Sequence, residues 1–127
     1  MSRQIIKTTQ APNAIGPYSQ AVQCNRTVYF SGQIPLHPAT GELVAGDISA
    51  QTRQVFENLR AVCEAAGGSL ANLVRVGIYL VDLDDFAAVN AVMAEYCKPP
   101  YPARSTVQVA GLPKAAAVEI DAIMVLD

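Results

Sequence analysis

Arg104 sits where an arginine is costly. It follows Pro102-Ala103 and precedes Ser105-Thr106-Val107, at the entry to an apolar strand. A guanidinium beside a core has to be paired. Its planar fork suits a carboxylate, which it takes through two parallel hydrogen bonds. Two partners stay open on these grounds: the carboxylate of a ligand, or an internal one such as Glu119. Taken alone, the residues favour the internal pair.

Glu119 lies in the otherwise apolar run Ala117-Val118-Glu119-Ile120-Asp121. Strand alternation puts Glu119 and Asp121 on the same face. They are either a solvated sheet face or, for Glu119, a carboxylate that holds a water or moves a proton. Tyr18 follows Gly16-Pro17, a turn that presents its ring and hydroxyl stiffly. It is either part of the chemistry or a packing aromatic with its hydroxyl in water.

The other reactive residues point away from familiar machinery. His37 is the single histidine and stands in the Pro-flanked turn Leu36-His37-Pro38-Ala39-Thr40-Gly41. Zinc sites gather three or four ligands, so no metal is expected. A Ser-His-Asp arrangement would have to recruit that one turn histidine. Cys63 reads as core, Cys24 as the end of a strand, and Cys97 as a thiol near a helix end, where exposure is open to it. None is a candidate nucleophile. Gly67-Gly68 lacks the strand-to-helix context of a phosphate loop and reads as a helix stop.

The elements that must position these residues follow from periodicity. Asp47 is a capping residue type, and Ile48, Val55, Leu59, Val62 and Ala66 then form one apolar stripe, which predicts a first helix. Phe86, Val89, Met93 and Tyr96 predict a second, starting near Asp84 or Asp85 and stopped by Pro99, Pro100 and Pro102. Strands are expected at Ile5 to Thr8, Ala21 to Cys24, Thr27 to Ser31, Val74 to Val81, Ser105 to Val109 and Val118 to Leu126. This is an α+β layer, a mixed sheet with two helices on one face. Val74, Val76, Ile78 and Leu80 fill one face of their strand, and Leu73, Gly77, Tyr79 and Val81 the other, with Arg75 as the exception. A sheet with two apolar faces needs cover on both, and two helices cover only one. The second face is therefore expected to pack against other copies of the chain.

Composition agrees. The 127 residues suit one domain over 1–127, 51% hydrophobic and 16% charged. A net charge of −2 with scattered Lys and Arg makes nucleic acid an improbable partner. Three cysteines without C-x-x-C spacing suit free thiols in a reducing cytoplasm. No signal-like or membrane-spanning apolar run occurs, so a cytoplasmic protein is expected.

One ordered set of segments carries a resemblance. It runs Ala14-Ile15-Gly16-Pro17-Tyr18-Ser19-Gln20-Ala21, Ser31-Gly32-Gln33-Ile34-Pro35, Thr40-Gly41-Glu42, Asn58-Leu59, Ala65-Ala66-Gly67, Phe86-Ala87-Ala88-Val89-Asn90, Pro102-Ala103-Arg104-Ser105, Leu112-Pro113-Lys114 and Val118-Glu119-Ile120. In order and spacing the set resembles the Rid family of reactive intermediate deaminases, RidA subfamily. The resemblance implies a chorismate-mutase-like homotrimer, three sheets around a barrel-like core, with ligand clefts between subunits. It implies hydrolysis of 2-iminobutanoate and 2-iminopropanoate, formed from enamines released by pyridoxal-phosphate-dependent dehydratases. No cofactor of the chain's own is implied. By this resemblance Arg104 binds the substrate carboxylate, Glu119 orients the water and Tyr18 hydrogen-bonds near the reacting nitrogen or carboxylate. Ser31, Gly32, Asn90 and Thr106 line the site. Thr106 stands where many bacterial relatives carry cysteine. Two other activities remain open: an endoribonuclease or translation inhibitor, and a non-catalytic module that binds 2-oxo acids or amino acids.

Overall fold

In the computed structural model, which describes residues 2–127, the alternating segments become strands and the two stripes become helices. The chain runs β1 (Arg3–Ile6), β2 (Ala21–Cys24), β3 (Thr27–Gln33), α1 (Ile48–Ala65), β4 (Leu73–Leu80), α2 (Phe86–Tyr96), β5 (Ala103–Gln108) and β6 (Val118–Val125). One six-stranded sheet holds them in the order β1-β2-β3-β6-β4-β5. Every pairing is antiparallel except β4 with β5, which are parallel because α2 carries the chain back between them. The expected mixed sheet with two helices on one face is what the chain forms.

Local chemistry sets the helix ends. The Asp47 carboxylate accepts from the Ala50 amide at 2.9 Å and starts α1. At the other end Gly67 takes φ +90°, and the Gly68 amide donates back to the Cys63 carbonyl at 2.9 Å. α2 follows a short 3-10 turn, Leu83–Asp85, capped by Asp82, and stops at Tyr96 before the prolines. Val55, Phe56, Leu59 and Val62 of α1 and Val89 and Val92 of α2 are buried against Val76, Ile78 and Leu80 of β4 and Val118, Ile120 and Met124 of β6. Each such side chain contributes about 1.5–3 kcal/mol of transfer free energy, so this layer fixes the strands that carry the site.

Three expectations fail, each for a visible reason. Val74 does not join Val76, Ile78 and Leu80. A bulge between Leu73 and Arg75 shifts the register against β6, burying Leu73 and leaving Val74 exposed. Cys97 is buried rather than exposed, because the chain turns into the core at the end of α2, where its amide donates to the Met93 carbonyl. β1 ends at Ile6 instead of Thr8, because the Thr8 amide and carbonyl both bond to the Gln20 side chain.

The face of the sheet away from the helices is open within the chain. Tyr29 and Val125 are exposed there, with Tyr79 and Ile123 half-buried. Among the described residues no helix is long and apolar enough to cross a membrane.

Candidate active site

Arg104 sits opposite Val76 in the parallel β4–β5 pair, so its side chain takes the helix side of the sheet. There α2 meets it. The Arg104 Nη1 donates to Asn90 Oδ1 at 2.7 Å and lies 3.6 Å from Met93 Sδ. The guanidinium stands 5.3 Å from the centre of the Phe86 ring. All three α2 residues lie on one helix face, at steps of four and three. The amide is neutral, so it fixes the guanidinium without cancelling its charge. Among the described residues no carboxylate pairs with Arg104. Asn90, Met93, Tyr101, Pro102 and Arg104 line an open cleft of about 470 Å³. Thr106 is two residues further along, and its buried hydroxyl has no hydrogen-bond partner among the described residues. Leaving such a group unpaired costs about 1–3 kcal/mol.

Glu119 lies on the other face. It sits opposite Tyr79 in the β4–β6 pair, one residue out of phase with Ile78, which faces the helices. The internal Arg104–Glu119 pair that the residues alone favoured is therefore absent: the two side chains leave opposite sides of the sheet. Glu119 opens into a separate cleft of about 530 Å³, with Tyr18, Ser31, Gly32 and Lys114 on its walls and apolar cover from Ile15, Ile34 and Leu36. Burial pushes the Glu119 carboxyl above the ordinary carboxylate range, and the Asp121 charge adds to the shift. Asp121 accepts from the Tyr79 hydroxyl at 3.0 Å.

The remaining residues support this carboxylate. Gly32 has no side chain because the Glu119 carboxylate occupies the space a Cβ would take. The Ser31 hydroxyl donates to the Ser19 carbonyl, so it ties β3 to the loop before β2. That loop delivers Tyr18. Gly16 adopts φ +132°, the Tyr18 ring is half-exposed, and its hydroxyl accepts from the Ile15 amide at 3.3 Å. The phenol proton is left to donate into the cleft.

One chain thus carries two candidate half-sites. Arg104 and Asn90 border a cationic cleft on the helix side, with Thr106 further along the same strand, and Tyr18, Ser31, Gly32 and Glu119 line a cleft holding a carboxylate on the other. Sequence reasoning missed Met93 and Phe86 around Arg104, although both lay in the stripe read as core. It also missed Lys114, quoted only as part of a segment, which together with Ala115 adopts a left-handed backbone beside Glu119. Among the described residues no three His, Cys, Asp or Glu side chains converge to hold a metal.

Comparison with known proteins places this geometry. The model of the family described as endoribonuclease L-PSP matches residues 8–126. A 2-iminobutanoate/2-iminopropanoate deaminase of Dermatophagoides farinae is 50% identical over 125 residues, covering 98% of each chain. The crystal structure of RidA from an Antarctic Psychrobacter is 52% identical and superposes with a TM-score of 0.94, over 97% of this chain and 99% of that one. The E. coli TdcF structure with bound serine is 44% identical with a TM-score of 0.91, over 98% and 99% of the two chains.

Proposed function

The chain belongs to the endoribonuclease L-PSP family, which the Rid resemblance anticipated, and from that premise we propose that it hydrolyses 2-iminobutanoate and 2-iminopropanoate to 2-oxo acids and ammonia. The observation that carries the reading is Arg104: a guanidinium held by the neutral Asn90, with no carboxylate partner among the described residues, at an open cleft. That is the requirement for gripping the carboxylate of a small 2-imino acid.

The two half-sites meet in a homotrimer. Each copy buries its open sheet face around the shared axis, and Arg104 of one copy borders the Glu119 cleft of the next. The substrate carboxylate binds Arg104 of one subunit. Glu119 of the other holds a water against C2 of the imine. The water oxygen bonds to C2 as Glu119 accepts one of its protons and passes it to the imine nitrogen, giving a carbinolamine. Glu119 then relays the proton of the new C2 hydroxyl to the same nitrogen; as the C–N bond breaks the C2–O bond closes to a carbonyl, and ammonia leaves a 2-oxo acid. An imine carbon is already electrophilic, so positioning supplies most of the acceleration. The Arg104–carboxylate contact contributes about 1.5–3 kcal/mol, much of it to substrate and transition state alike. The catalytic difference therefore belongs to Glu119 and Tyr18. Ser31 and Gly32 shape the wall, and Thr106 lies behind Arg104 on the same strand. The enzyme works as a single domain in the cytoplasm, beside the dehydratases that release the enamine.

The test is 2-oxobutanoate formation with threonine dehydratase supplying the enamine. The wild type is expected to accelerate it and Arg104→Ala to abolish the acceleration with the oligomer intact. No acceleration by wild type, with 2-oxobutanoate still bound, favours the binding module. RNA cleavage that survives Arg104→Ala favours the endoribonuclease that the family's description names.

A further inference from the structure

We infer that Gln20 and Asn58, two buried side-chain amides, are positioning residues that hold two backbone segments lining the Glu119 cleft. Both segments lie outside the six strands, where backbone pairing satisfies only part of the chain. Gln20 is 4% exposed; its Oε1 accepts from the Thr8 amide at 2.7 Å, and its Nε2 faces the carbonyls of Thr8 at 3.0 Å, Pro12 at 2.8 Å and Ala11 at 3.4 Å. That strap continues into Pro12, Asn13 and Ile15, which line the cleft. It also carries the Ile15 amide that holds the Tyr18 hydroxyl. Asn58 of α1 is fully buried. Its Nδ2 donates to the carbonyls of Leu36 at 3.1 Å and Ile34 at 3.4 Å, and its Oδ1 accepts from Gln54 at 2.9 Å. Ile34 and Leu36 also line the cleft.

Burying an amide is unfavourable unless its polar atoms are paired, and an apolar side chain packs at lower cost. Here three of the bonds go to carbonyls of residues that line the cleft, Pro12, Ile34 and Leu36, and those of Gln20 to Thr8 and Ala11 hold the strap that leads into it. Asn58 acts on the reaction through the wall segment it holds, and Gln20, which itself borders the cleft, acts through the strap that holds Tyr18. The assay of this inference rests on the deaminase reading, so a second readout stands apart from it.

Gln20→Glu and Asn58→Asp keep the shape and remove the donors. At neutral pH a carboxylate then faces carbonyl oxygens; when protonated it donates one bond again. Each variant is expected to keep its oligomeric state and lose about tenfold or more in kcat, with a smaller change in KM. The ratio of variant to wild-type kcat recovers as pH falls. A lower melting temperature with a wild-type kcat and pH profile overturns the inference, because a purely structural role predicts that. Should a variant fail to fold, the wild type itself decides. Its Gln20 and Asn58 side-chain NH₂ signals are expected to shift in NMR spectra when 2-oxobutanoate is added, and unchanged signals overturn the inference. If wild type shows no deaminase activity while those signals shift, the reaction fails and the positioning role stands.

Discussion

Asn90 binds the Arg104 guanidinium without neutralising it. A carboxylate in its place would make a stable pair and occupy the fork that a ligand needs. Asn90→Asp is therefore expected to raise KM for the imine in the dehydratase-coupled assay by about tenfold, with the smaller effect on kcat. Glu119 makes a second prediction through its raised carboxyl pKa. The folded chain binds that proton more tightly than the unfolded chain, so this group's contribution to stability is full below the ordinary carboxylate range. It is lost as pH rises through the raised value. Glu119→Gln is then expected to melt higher than wild type at about pH 8 and at the same temperature near pH 4, by calorimetry. In the wild type the same ionisation sets the acid limb of the activity profile, because only the ionised carboxylate accepts the proton of water, and Glu119→Gln removes the activity.

At the scale of elements, α1 and α2 matter as supports. α2 brings Asn90, Met93 and Phe86 to Arg104 from one face, so a rotation of that helix releases the guanidinium. α1 supplies Asn58 and the buried stripe behind the sheet. Its Asp47 cap lines neither cleft. Asp47→Ala is expected to destabilise the fold by about 1 kcal/mol, read as a lower midpoint in denaturant, while kcat per folded chain stays at the wild-type value. The bulge at Leu73–Arg75 shows how an element adjusts to its neighbours: it restores a buried Leu73 at the cost of an exposed Val74.

For the whole molecule, the proposed trimer places Arg104 and Glu119 of each site on different subunits. Mixing inactive Arg104→Ala and Glu119→Gln chains, followed by joint refolding, tests this directly. Any trimer containing both variants has one interface with both side chains intact. Random mixing is therefore expected to restore about a quarter of wild-type activity. Recovery no greater than the sum of the separate variants excludes a shared site. The open sheet face argues for the same assembly, since Tyr29 and Val125 are exposed there among the described residues.

Much of this was written in local order. Periodicity fixed both helices, because a stripe at helical spacing has one geometric solution, and Asp47 with Gly67-Gly68 marked the ends of the first. Alternation gave the six strands to within a few residues and set Glu119 and Asp121 on one face. Alternation could not see the bulge, which arises from registering β4 against a strand more than forty residues away. Nor could it see that Thr8 would leave the ladder for Gln20. The partner of Arg104 was the hardest question. The residues alone set Arg104 against Glu119, because both types seek opposite charge. The answer depended on which side of the sheet each strand turned its odd and even residues toward, a property of the pairing of β5 and β6 with β4. Pairing partners are chosen by long-range packing, so tertiary structure alone separated the two charges and left Arg104 to an amide.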